Sequence, residues 1–206
     1  MKILGLRIRV IETLIAINAV MFLVRMIIPN ATLSLLALQP ASVLTHPWTI
    51  VTSMFIHADI THIFFNLMAL YFFGMYFERL VGEGNFLLVY FIGGIAGSLL
   101  YVASSLVFGI PNPESIALGA SGAIFAVAGA LAILQPRMQV VMLPIFIPMP
   151  LYIAVFGFMV LLSFMPGVAW QGHLGGLMVG IIFGIYWKRR IVEVVDVRER
   201  YGYRFY

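Results

Sequence analysis

Along this chain the charged residues bunch, and long apolar runs lie between them. Six runs fit a membrane-crossing pattern: about 10–28, 53–77, 86–108, 119–135, 149–165 and 170–187. Roughly 20 mainly apolar residues in a helix are enough to cross a bilayer's hydrocarbon core. The pattern therefore predicts an all-α membrane protein, a six-transmembrane-helix bundle forming a single domain over 1–206. The stretch 31–48 is also apolar, but Pro40 and Pro47 break it and it is too short to cross. It is expected to lie in the outer interface as a membrane-embedded first outer loop. Pro144, Pro148 and Pro150 predict a late start for the fifth helix, after a non-helical entry.

Composition supports this class and removes others. The chain is 63% hydrophobic and 10% charged, with a mean hydropathy of +1.06, whereas a soluble domain needs far more polar surface. The net charge of +4 does not indicate nucleic acid, because the basic residues lie between apolar runs rather than in one aromatic-laced patch. They fix orientation instead. Lys2, Arg7 and Arg9 precede the first span, Arg79 follows the second, Arg137 the fourth, and Lys188, Arg189 and Arg190 the sixth. By the positive-inside rule both termini are cytosolic, and the second, fourth and sixth helices run from outside to inside. The N-terminal run continues to about Ile28 without a cleavage signal, so it reads as a retained signal anchor. A multi-pass protein of a prokaryotic cell membrane is the expected setting. With no cysteine there is no disulfide, thiolate nucleophile or zinc–thiolate site, and no metal or cofactor is expected.

Depth follows from counting up from the cytosolic charges at 1.5 Å per residue. Ser121 is sixteen residues above Arg137, His62 sixteen above Glu78 and His173 fifteen above Lys188, which is roughly 22–24 Å in each case. Asn66 lies one turn below His62 on the same face. A lone serine near glycines is ordinary helix packing, and a lone buried histidine is an ordinary hydrogen-bonded group. Four such groups in one layer are not, because ionisable side chains at membrane depth are costly and gather at water or partners.

Small residues supply the contact between helices. Gly172, Gly176, Gly180 and Gly184 form a stripe at every fourth residue, and Gly122, Ala126 and Ala130 form a matching one. Ser121 and His173 each stand one residue from their stripe. The chemistry this suggests is a serine hydroxyl activated by His173 as base. No acidic residue lies at this depth, so the expected unit is a dyad. His62, Asn66 and the Ser121 backbone N–H are candidate donors to a developing oxyanion. The irregular PNPES loop nearby suits a cavity open to the outside.

These residues resemble the rhomboid family of intramembrane serine proteases. The resemblance rests on GASG at Gly119–Gly122, HADITHIFFN at His57–Asn66 and GHLGGLMVG at Gly172–Gly180, in that family's arrangement on the second, fourth and sixth spans. It implies Ser121 as nucleophile, His173 as base, Asn66 and His62 assisting the oxyanion, and transmembrane segments of other membrane proteins as substrates. His57 matches the first family histidine. At 100° per residue it is expected about 140° around the helix from His62, near the outer interface, in a structural or hydration role. Phe125 stands where family members often have tyrosine and is expected to stack on His173. Trp48-Thr49 replaces the family's frequent Trp-Arg, and Gly172 replaces an alanine. A proteolytically inactive escort protein would leave catalytic positions unfilled, and here they are filled. A proton channel would need a polar path to the cytosol, yet LMALYFFGMYF below Asn66 holds no Asp, Glu, His, Lys or Arg.

Overall fold

The computed structural model describes residues 2–3, 6–7, 9–142 and 146–201. Two short strands, β1 (Lys2–Ile3) and β2 (Leu6–Arg7), pair antiparallel ahead of helix α1 (Val10–Ile27). Pro29 starts α2 (Pro29–Leu36), in the position where proline's missing N–H costs nothing. A 3₁₀ turn (Pro40–Ser42) and the one-turn α3 (Thr49–Thr52) complete the first outer loop. Helices α4 (Ile60–Val81) and α5 (Glu83–Phe108) follow, separated by Gly82 alone at φ +84°, a conformation that favours glycine. Next come α6 (Ser121–Leu134) and a ribbon of β3 (Gln139–Val141) against β4 (Pro148–Pro150). The fifth apolar helix is assembled from α7 (Leu151–Ile153), a π turn (Ala154–Met159) and α8 (Val160–Leu162). The chain ends in α9 (Trp170–Tyr201).

The protein is a helical membrane bundle. By length and composition α1, α4 and α5 can each cross a bilayer, while α6 and the fifth helix are shorter apolar helices. Helix α6 is the axis: every residue from Ala123 to Ala132 is buried, and α4, α5 and α9 pack around it. Its fourteen residues span roughly 21 Å, less than a hydrocarbon core of about 30 Å. The segment ahead of it is not helical. That backbone is satisfied by protein: Leu38 and Ala117 exchange N–H···O bonds of 2.9 and 2.8 Å, and Gly119 donates to the Ser53 carbonyl at 2.9 Å.

Two sequence expectations change. The second span was expected from residue 53, but its helix begins at Ile60, because Asp59 is a helix cap. The Asp59 carboxylate accepts the His62 N–H at 2.8 Å, and the residues before it form a 3₁₀ turn (Ser53–Phe55) and a loop. His57 is consequently not on the helix, and the 140° angle from His62 does not apply. The first outer loop is anchored without an arginine. Trp48 Nε1 donates to the Leu35 carbonyl at 2.7 Å, Thr49 Oγ1 to His46 at 2.6 Å, and Thr52 Oγ1 to Leu36 at 2.9 Å.

Candidate active site

The site is built on a seam where α9 meets α6 and α5 backbone to backbone. A Cβ on Gly176 would fall on the Gly122 carbonyl, and one on Gly180 on the Ala126 carbonyl. One on Gly184 would lie 3.0 Å from the Ala130 oxygen, and one on Gly175 2.7 Å from the Ala96 oxygen of α5. At the top of the seam the Gly172 carbonyl is wedged between Gly97 and Gly122, 2.5 and 3.2 Å from where their Cβ atoms would be. Only glycine lets the helices come this close. The next residue, His173, then brings Nε2 to 2.8 Å from Ser121 Oγ. The Phe125 ring, one turn along α6, lies parallel to the imidazole, with centroids 4.3 Å apart and planes 13° apart.

Ser121 is the first residue of α6, so its N–H has no intrahelical acceptor and lies at the positive end of the helix dipole. His62 reaches the same place from α4. The Ala58 N–H donates to its Nδ1 at 3.3 Å, so the ring proton is on Nε2. That Nε2 edge lies against Gly119, 2.7 Å from where a Cβ would be, and Gly119 itself adopts φ +115°. Glycine is required there twice over, for the backbone angle and for the space. Asn66 is buried one turn below and donates to the His62 carbonyl at 2.8 Å; its amide nitrogen carries a second N–H. His57 is fully buried, packs edge-on against His62 at 5.1 Å, and faces the Ala120 N–H at 3.5 Å. It thus lines the turn that leads into Ser121.

One group was not anticipated. Ser163, just after α8, hydrogen-bonds His173 Nδ1 at 2.7 Å and donates to the Met159 carbonyl at 2.8 Å. The signal was available. Ser163 and His173 sit at adjoining ends of consecutive antiparallel helices, ten residues apart, and therefore at one level. The expectation of a dyad weighed only acidic residues at this depth, and a serine hydroxyl is also able to hydrogen-bond an imidazole. A cavity of about 40 Å³ touches Ser121 and is lined also by Ser53, Ser98, Tyr101 and Gly97. It is roomy and polar enough for water. Among the described residues no group of three His, Cys, Asp or Glu side chains could hold a metal ion.

A model of the rhomboid domain matches residues 44–190. The chain belongs to the rhomboid family. The matched rhomboid segment carries His62, Asn66, Ser121, Ser163 and His173 together. The chain is 33% identical over 172 residues to the rhomboid protease GluP of Bacillus subtilis, covering 77% of this chain and 31% of that one. It is 30% identical over 159 residues to rhomboid protein 1, mitochondrial, of Saccharomyces cerevisiae, covering 69% and 42% respectively. A rhomboid-like protease 3 of Toxoplasma gondii is 28% identical over 163 residues, covering 77% and 57%. This rhomboid chain thus spans from about a third to somewhat over half of the length of these relatives.

Proposed function

We propose that this chain is an intramembrane serine endopeptidase that hydrolyses peptide bonds in or near transmembrane segments of other membrane proteins. The observation that carries the reading is the 2.8 Å contact between Ser121 Oγ and His173 Nε2, held inside an apolar bundle. Family membership, and relatives named as proteases, add weight. In the proposed reaction Ser121 Oγ attacks the scissile carbonyl carbon while its proton passes to His173 Nε2. The carbonyl oxygen becomes an oxyanion, met by the Ser121 N–H, the Nε2–H of His62 and the second N–H of Asn66. The tetrahedral intermediate collapses, and His173 returns the proton to the departing amine. Water from the polar cavity then attacks the acyl-enzyme carbonyl, with His173 again taking a proton; as this second intermediate collapses, the bond to Ser121 Oγ breaks, His173 returns the proton to that oxygen, and the carboxylic acid product leaves.

The proposed topology has six crossings, with both termini in the cytosol of a prokaryotic cell, following the distribution of Lys and Arg. The site then opens to the outside. Tag accessibility in oriented vesicles checks this, and termini on opposite faces would overturn it.

The activity test uses purified protein in lipid with a panel of transmembrane peptides. Ser121→Ala and His173→Ala are each expected to abolish detectable cleavage, since nucleophile and base act as one unit and their losses do not add. A fluorophosphonate is expected to label wild type and to spare Ser121→Ala. Sustained cleavage by Ser121→Ala would refute the assignment, and a folded wild type that binds but cleaves nothing would favour an escort role.

A further inference from the structure

Ser163 occupies an odd place. The residues around it face outward: Leu161 and Phe164 are each 66% exposed and Met165 is 56%, yet Ser163 is 4% exposed. A serine near the end of an apolar helix satisfies itself by bonding back to the carbonyl four residues earlier, and Ser163 does so to Met159. That habit accounts for its proton. It does not account for the second contact, to His173 Nδ1 at 2.7 Å.

The two contacts together leave one consistent assignment of protons. A hydroxyl has a single hydrogen. If Ser163 gave it to Nδ1, its oxygen and the Met159 carbonyl oxygen would face each other at 2.8 Å with no proton between them. The hydroxyl therefore donates to Met159, and Ser163 Oγ accepts from His173 Nδ1–H. A neutral imidazole carries one ring proton, so Nε2 is left with its lone pair, 2.8 Å from Ser121 Oγ. All three bonds run in one direction, from the Ser121 hydroxyl to His173, to Ser163, to the Met159 carbonyl.

We propose that Ser163 is a positioning residue that holds His173 in the Nδ1–H tautomer, the form in which Nε2 can take the Ser121 proton. This rests on the reading of Ser121 and His173 as nucleophile and base. Ser163 does the orienting that a buried carboxylate does in a triad, but as a neutral group. A carboxylate there would bring a charge into the membrane at considerable cost, and a hydroxyl already tied to its own backbone brings none. The π turn immediately before α8 shifts the register of the helix end, and such turns are frequent at functional sites.

The test combines kinetics with nitrogen-15 NMR of the histidine rings in detergent or nanodiscs, with the His173 signals assigned through His173→Ala. Wild type is expected to show a protonated Nδ1 and an unprotonated Nε2 at His173. In Ser163→Ala the Nε2–H tautomer should become populated, and kcat should fall about tenfold, equivalent to about 1.4 kcal/mol, with KM little changed. Ser163→Thr keeps the hydroxyl and should restore both readouts. If the alanine variant does not fold, Ser163→Cys, with similar volume and a weak acceptor, is read in the same way. An unchanged tautomer overturns the proposal whatever happens to kcat, and so does an unchanged kcat with a shifted tautomer. Failure of the underlying dyad reading is distinguishable, because wild type itself would then take up no fluorophosphonate at Ser121.

Discussion

The two sides of His173 are held in opposite ways. Toward Ser121 it is fixed by the α6–α9 seam, where backbones touch through Gly176, Gly180 and Gly184 and every residue of Ala123–Ala132 is buried. Toward Ser163 it meets the fifth helix, which is interrupted by a π turn and largely exposed along α8. A Cβ on Gly157 in that turn would meet only Ile153 Cγ2, at 3.8 Å. The seam has no slack, so it can set a distance. On the Ser163 side α8 is exposed, while Leu151, Ala154 and Val155 earlier on the same helix are fully buried, so the contact to His173 rests on one side chain at the exposed end of that helix. Precision in this site therefore comes from backbone contact, and orientation from a single side chain at an exposed helix end.

The most direct way to break the comparison is to add volume to the seam. Gly176→Val puts a branched side chain where the Gly122 carbonyl lies, so α9 must move away from α6. About 1 Å of misplacement costs on the order of 10²-fold in rate, so cleavage should fall by more than about 10²-fold. Overpacking should also cost roughly 1–3 kcal/mol of stability. Activity at matched folded, membrane-inserted protein checks this; full activity would mean that something other than the seam sets the Ser121–His173 distance.

The α4 arm comes next in size. His62→Ala and Asn66→Ala each remove a proposed oxyanion donor, and the loss of such a donor typically costs about 10²–10³ in kcat. The larger loss is expected for His62, whose Nε2–H has no other assigned acceptor, and KM should change little in either variant. A change confined to KM would make these residues substrate-binding groups. Gly119→Ala sharpens the same point indirectly. Its Cβ would sit 2.7 Å from the His62 ring on a strained backbone, so kcat should drop about tenfold through displacement of His62. Wild-type kinetics in that variant would show that the ring moves without consequence.

The smallest effects test the Ser163 side. Phe125→Leu removes the stacked ring but keeps an apolar cover on His173, and a loss of only a few-fold in kcat is expected. Gly157→Ala enters open space, and Ile182→Val changes a side chain that is 64% exposed on the outward face of α9. Both should lie within about 0.5 kcal/mol of wild-type stability and leave cleavage unchanged. Thermal unfolding in detergent and peptide cleavage measure both. A loss from Gly157→Ala comparable to that from Gly176→Val would erase the difference between the two supports.

The sequence by itself determined the class of the protein and that Ser121, His62, Asn66 and His173 gather at one level of the bundle. Hydrophobic runs and their charged flanks are one-dimensional signals, because the bilayer demands apolar length and sorts Lys and Arg. The glycine stripe was legible for the same reason: four-residue spacing alone puts Gly176, Gly180 and Gly184 on one face. The start of α4 at Ile60 depends on Asp59 capping His62, a local polar signal three residues long that hydropathy does not register. Two things were decided only by tertiary structure. The non-helical approach to α6 depends on the Leu38–Ala117 bridge, which satisfies its backbone from a segment far away in the chain. The partner of His173 Nδ1 depends on how the end of the fifth helix is turned, and a π turn shifts that by an amount no heptad or stripe encodes. Periodicity places a residue on a face and at a level, but which atoms meet there is settled by the packing of one helix against the next.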